Sequence, residues 1–238
     1  MNFVGHIHIG HIHIGHRHLD GHGLDGRRAS GGLLDRYLFG TALPDFATIG
    51  RFQLTGEPAD SSLAAGVDMH HATDNAFHAC DWFVTNSQAV RADLERRGVN
   101  RGAARAVGHV GVELLLDGHL LASDGGLRDR AQRVLELADN EQLELTGLVA
   151  EHRRHEWNHH LGRISSWPLP DDYHEPTAVA ERLHRILRPR RRLAFDPHDI
   201  VVVADTLANH APDLIAGIAA MVDSLAADLA TGLADSPG

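Results

Sequence analysis

The chain has 238 residues, enough for one domain with a sizeable core, and 43% of them are hydrophobic but only 5% aromatic, so Leu, Val and Ala must fill most of that core. The net charge is −10 and all 22 basic residues are Arg, which argues against general nucleic-acid binding. A single cysteine, Cys80, excludes an intramolecular disulfide and a thiolate zinc cage. No apolar run reads as bilayer-spanning and no signal-peptide pattern opens the chain, so a soluble cytoplasmic protein without membrane or nucleic-acid partners is the expectation.

Histidine is the anomaly, with 20 in the chain. The unit Gly-His-Ile-His-Ile starts at Gly5 and again at Gly10, and a degenerate copy starts at Gly15. His and Ile alternate within each copy, which is a strand-like period. Imidazole is a common ligand for zinc, nickel and copper, so one reading is a metal-scavenging tract. The preferred reading is a repeat expansion of which one copy is used. Residues 1–32 are taken as a His/Gly-rich N-terminal extension, with a flexible break at 25–32, before a single helical domain at 33–233 and a disordered tail at 234–238.

Leu33 to Phe39 resumes a helical pattern that Pro44 should stop or kink. Leu43 and Phe46 around Asp45 suggest a semi-buried aspartate. The next helix spans about Ser61 to Asp81. On it Leu63, Val67, His70, Asp74 and Phe77 share one face. An imidazole and a carboxylate on a core-facing stripe are either a hydrogen-bonded pair or two metal ligands.

Asn86-Ser87 should cap the following helix and Gly98 end it. Arg101 to Ala122 reads as one helix, with His109, Glu113 and Asp117 recurring at i, i+4 and i+8. The surrounding apolar residues nearly encircle it, so burial of Glu113 and Asp117 is expected. Helices are also expected at 124–138, 141–162 and 176–187, and one or two between 197 and 233 with a kink at Pro212. Arg188 to Arg192 contains the only concentrated positive patch, able to engage an acidic partner or a phosphate. Every element is helical, so the fold class is all-α, a compact multi-helix bundle.

Carboxylates and imidazoles from separate helices can converge at a bundle centre. Asp45, His70, Asp74, Glu113 and Asp117 form such a set, and it suits manganese, iron or magnesium better than a soft metal. Hydrolysis of a phosphoester is the natural chemistry.

The opening Met1-Asn2-Phe3 followed by His-apolar-His resembles the start of acyl carrier protein phosphodiesterases. Leu43-Pro44-Asp45-Phe46 resembles their Leu-Ala-Asp-Phe element. Gly66-Val67-Asp68-Met69-His70 with Asp74 resembles their Gly-Ile-x-x-His-Arg-x-Ile-Asp helix. Glu113 to Asp117 resembles their acidic helix, and Ala211 to Leu214 their late Tyr-Pro turn. Residues 140–192 match poorly. The resemblance implies a fold of the HD-phosphohydrolase type and a manganese-dependent hydrolase, with Mg²⁺ or Fe²⁺ as substitutes. It would release 4′-phosphopantetheine from holo-acyl carrier protein, a step of lipid metabolism.

Carried over residue by residue, the metal set is His6, His8, Asp45, His70 and Asp117. The catalytic carboxylates are Asp45, Asp74 and Glu113, and the substrate-binding residues are His71, Arg190 and Arg191. His6, His8, His11 and His13 compete for the family's opening histidine positions. His119 stands one place beyond the family's Asp-His pair, and His71 stands where the family usually has Arg. Two alternatives are a non-catalytic His-rich metal-binding protein and a phosphohydrolase acting on a small phosphoester or nucleotide.

Overall fold

The computed structural model describes residues 2–19, 30–139, 143 and 145–234. Among these the fold is all-α, with no strand. The α-helices are α1 (Phe3–Leu19), α2 (Ser30–Gly50), α3 (Ser61–Ala79), α4 (Asp81–Arg96), α5 (Arg101–Ala106), α6 (Val112–Ser123), α7 (Leu127–Glu136), α8 (Arg154–Ile164), α9 (Pro176–Leu187) and α10 (Asp199–Ala234). A π-helical segment, Val107–Gly111, joins α5 to α6. Residues 20–29 and 235–238, which carry much of the expected break and almost all of the expected tail, lie outside the described residues.

The chain divides into two compact units. The first comprises residues 1–75, 124–169 and 225–238, and the second 76–123 and 170–224. In the first, α1 packs along α2, and α7 and α8 also pack against α2. Ile7, Leu38, Phe39, Leu43, Phe46, Leu63 and Trp157 are fully buried there. Trp157 Nε1 donates to the Leu145 carbonyl at 2.9 Å, which satisfies its one polar atom. In the second unit α4, α5, the π segment, α6 and α9 pack around Phe83, Val90, Leu94, Val107, Leu116 and Leu183.

The repeat is helix α1, not a strand. His–Ile alternation mimics period two, but the buried positions, residues 4–7, 9, 10 and 13, include adjacent residues as well as i, i+3 and i, i+4 partners, which a helix buries and a strand does not. Gly10 faces α2, where an added Cβ would lie 3.0 Å from Thr41 Cγ2 and 3.4 Å from Tyr37. Gly10 is therefore a helix-packing residue.

Pro44 does not end α2, which continues to Gly50. Leu43, Phe46 and Ala47 are buried around it, so packing holds the helix through a residue that disfavours it. Beyond Gly50 the chain turns with Arg51 at φ 58, in the left-handed region. His160 Nε2 donates to the Phe46 carbonyl at 2.8 Å in this last turn of α2.

Other boundaries also shift. The third helix stops at Ala79, because Cys80 is extended (φ −70°, ψ 145°) and precedes α4. Asn86 and Ser87 lie inside α4 rather than capping it, and Asn86 Nδ2 donates to the Trp82 carbonyl at 2.7 Å. Gly98 ends α4 as expected, at φ 89. The continuous helix expected over 141–162 begins only at Arg154, after 3₁₀ turns, since Ala150 is extended (ψ 140°). Pro212 lies inside α10, which runs through it as one helix from Asp199 to Ala234.

By length and composition one helix among the described residues could cross a membrane: the 33-residue stretch Asp199–Thr231, within which an 18-residue window reaches mean hydropathy 1.6. This corrects the expectation that no run is long enough. Its buried residues, Val203, Leu207, Leu214, Ile218, Met221, Leu225 and Leu229, recur at spacings of three, four and seven, which is the core stripe of an amphipathic helix.

Candidate functional site

The site in the first unit begins at a close approach of two helices. A Cβ on Gly40 of α2 would lie 2.9 Å from the Cα of Gly66 on α3. The missing side chains let the two backbones touch, and residues within the next two turns of each helix are brought face to face. These are Thr41 and Asp45 on α2, and His70 and Asp74 on α3. Because Pro44 leaves α2 helical, Asp45 stays on the same face as Thr41.

Helix α1 supplies His6, whose side chain is fully buried. His6 Nε2 lies 4.0 Å from Asp45 Oδ2 and 3.8 Å from Asp74 Oδ1. The rings of His6 and His70 are 4.0 Å apart, centroid to centroid. One ligand atom each from His6, Asp45 and His70 lie within 4.8 Å of one another. Asp45 and Asp74 are half-buried, with side chains 23% and 38% exposed, so the cluster is open to solvent on their side.

His70 does not pair with Asp74 by a hydrogen bond. Its Nδ1 lies 2.9 Å from the Thr41 carbonyl oxygen. A carbonyl only accepts, so Nδ1 carries the hydrogen and Nε2 is left with its lone pair. Burial, reinforced by the neighbouring His6, pushes the His70 pKa down to about 3, so the ring is neutral. A neutral imidazole with its far nitrogen bonded to a backbone carbonyl is the form in which histidine binds a metal. Two imidazoles and two carboxylates give a donor set with a charge of about −2, which fits a divalent cation.

The other residues expected at the site have surroundings of their own. His8 sits about 200° around α1 from His6. Its Nδ1 is 3.4 Å from Asp124 Oδ2, and Asp124 also pairs with Arg130. Burial holds the His8 pKa below its ordinary value, and Arg130 adds to this against the pull of Asp124. His71 is exposed on α3, edge-on to His70 with ring centroids 5.3 Å apart. Arg190 and Arg191 are exposed in the turns after α9, in the second unit. Asp117 is buried on α6 of that unit, and its charge acts on Tyr173.

Glu113, also in the second unit, is 5% exposed and is met by two histidines. His78 Nε2 lies 3.1 Å and His109 Nε2 3.2 Å from the same oxygen, Oε1. Burial pushes the Glu113 carboxyl up, but the hydrogen bonds from His109 and His78 outweigh it and hold it below the usual carboxylate range. This group too could hold a metal ion. His78 was absent from the sequence reading. Its signal was its place one turn beyond Asp74 on α3, continuing the series His70, Asp74, His78.

Thr41 was also unread, because it acts through its carbonyl and no side-chain pattern marks it. In comparisons with known proteins, no family model, no curated protein and no solved structure matches the chain.

Proposed function

We propose that the chain is a metal-dependent phosphoester hydrolase, and that its substrate is holo-acyl carrier protein, from which it releases 4′-phosphopantetheine. The observation that carries this reading is the convergence of His6, Asp45 and His70, with Asp74 beside them, from three helices of one unit. These are the positions at which the sequence resembles the carrier-protein phosphodiesterases, and an all-α frame of the HD-phosphohydrolase type would suit them.

Mixed carboxylate and imidazole donors favour Mn²⁺, with Mg²⁺ or Fe²⁺ as substitutes, over a soft metal. A divalent cation held there supplies Lewis acidity toward a phosphate oxygen and a more acidic water. His70 offers Nε2 because Thr41 fixes its tautomer. Asp45 neutralises the cation's charge. Asp74, the more exposed carboxylate, is placed to accept a proton from water arriving from solvent. The exposed Arg188, Arg190, Arg191 and Arg192 offer an acidic carrier protein a complementary surface.

A metal store in the repeat is the weaker reading, because His6 and His13 are buried, whereas a scavenging tract presents its imidazoles to solvent. The test is to supply the chelator-treated full chain with Mn²⁺ and follow holo-carrier by intact mass. The expected product is apo-carrier, formed by the parent protein and not by Asp45→Asn. Turnover of small phosphoesters alone would replace the carrier with another substrate. No turnover of any phosphoester with Mn²⁺, Mg²⁺ or Fe²⁺ would end the hydrolase reading.

A further inference from the structure

We infer that His78, His109 and Glu113 form a second metal site, which takes a zinc-class divalent cation on three protein ligands and leaves a fourth position open. The inference does not rest on the hydrolase reading, since all three residues belong to the second unit.

The spacing of the donor atoms is the first argument. Tetrahedral zinc with bonds of about 2.0–2.2 Å sets its ligand atoms about 3.4 Å apart. His78 Nε2 and His109 Nε2 are already 3.1 and 3.2 Å from Glu113 Oε1, and the three atoms lie within 4.8 Å of one another. Two imidazoles and one carboxylate is a ligand set that zinc favours at sites with a vacant fourth position.

The backbone supplies the second argument. His109 lies in the π segment Val107–Gly111, and Glu113 opens the α-helix that follows. A π turn takes in one extra residue, which rotates everything before it by about 100° relative to an unbroken α-helix. Across this widened turn His109, four residues before Glu113, reaches the same oxygen that His78 reaches from α3. The segment is held tightly: a Cβ on Gly108 would lie 2.6 Å from the Ser87 carbonyl oxygen. Such interruptions of a helix recur at functional sites.

The surroundings are the third. Phe83 stands edge-on to both rings, with centroids 4.9 Å from His78 and 5.0 Å from His109, and forms an apolar wall on one side. The His109 side chain is 48% exposed, so water or another ligand can approach from the other side. The two imidazoles are stacked, with 11° between their planes. In this arrangement each donates an Nε2 hydrogen to Glu113. To hold a cation each ring would carry its hydrogen on Nδ1 instead, which keeps both imidazoles neutral and would offer their Nε2 lone pairs beside Glu113 Oε1. Two neutral imidazoles, one carboxylate and a divalent cation leave a net charge of about +1, which suits an anionic or water ligand in the fourth position.

The chelator-treated full chain is dialysed against Zn²⁺ and bound metal is counted for the parent protein, His109→Ala and Glu113→Gln. His109 is half exposed, so His109→Ala keeps the fold, which circular dichroism checks. The expected result is one zinc equivalent fewer in His109→Ala than in the parent. Asp45→Asn, in the other unit, should retain this equivalent. Crystals soaked in Zn²⁺ should show an anomalous peak about 2 Å from His78 Nε2, His109 Nε2 and Glu113 Oε1. Equal zinc counts in the parent and His109→Ala, or no peak among the three atoms, would overturn the inference and leave a purely hydrogen-bonded triad.

Discussion

Gly40 and Gly66 face each other where α2 meets α3, so closely that a Cβ on Gly66 would lie 2.8 Å from the Gly40 Cα and collide with the Tyr37 carbonyl oxygen. Both obstacles are backbone atoms, which cannot move aside as a flexible side chain would. Gly66→Ala must therefore push α3 off α2. We expect a loss of about 3 kcal/mol, near the upper end for overpacking. Because His70 and Asp74 travel with α3, any Mn²⁺-induced rise in Tm should vanish in the same variant. Gly15→Ala is the control: an added Cβ there meets nothing within 4 Å, so helix propensity alone should stabilise it by about 0.5–1 kcal/mol. Urea unfolding of the two variants measures both.

The His70–Thr41 hydrogen bond sets a pH dependence. In the unfolded chain His70 binds a proton near its ordinary value of 6.5, and in the folded chain only near about 3. Between those values the unfolded state holds more protons, so stability is greatest above pH 6.5 and falls as pH drops through this window. One proton corresponds to a slope of about 1.4 kcal/mol per pH unit. His70→Asn keeps a donor for the Thr41 carbonyl and cannot titrate. Urea unfolding in EDTA at pH 7.5, 6 and 5 should show a shallower pH slope for His70→Asn than for the parent, by up to that amount. Identical slopes would mean that His70 is protonated in the fold.

The elements readable in advance were those whose local chemistry and packing agree. Pro176 at the first position of α9 and Gly98 after α4 are such cases. So is the ladder carrying His70 and Asp74, because burying such groups on an apolar stripe demands a partner. What escaped was decided by partners distant in sequence. Helix α1 takes its conformation from packing on α2, against a His–Ile alternation that points to a strand. Pro44 survives inside α2 for the same reason. The i, i+4 spacing of His109 and Glu113 put them on one stripe and made the burial of Glu113 legible, but the π segment leaves no periodic signature and the arrival of His78 at the same oxygen was not visible.

An acidic carrier protein approaching a chain of net charge −10 needs a local positive surface. Arg190→Glu with Arg191→Glu reverses two exposed charges and leaves the residues His6, Asp45 and His70 themselves unchanged. If the carrier docks there, KM for holo-carrier should rise about tenfold or more, with little change in kcat. Turnover of a small phosphoester should stay constant. Initial rates on both substrates separate docking from chemistry, and an equal loss on both would place these arginines in the fold rather than the interface.

The repeat offers several histidines, and helical geometry selects one. His6 faces Asp45 and Asp74, whereas His8 is about 200° around α1 and lies beside Asp124 and Arg130. His13 returns to the His6 face, but two turns on, about 10 Å along the helix axis. His6→Gln should therefore abolish both Mn²⁺-dependent hydrolysis and the Mn²⁺-induced rise in Tm. His8→Gln and His13→Gln should retain both. His8→Gln should cost under about 1 kcal/mol, since its ion pair with Asp124 is only partly buried. Thermal melts with and without Mn²⁺ distinguish the cases. A Tm shift that survives in His6→Gln and is lost in His8→Gln would exchange their roles and require the face of α1 toward α2 to be reassigned.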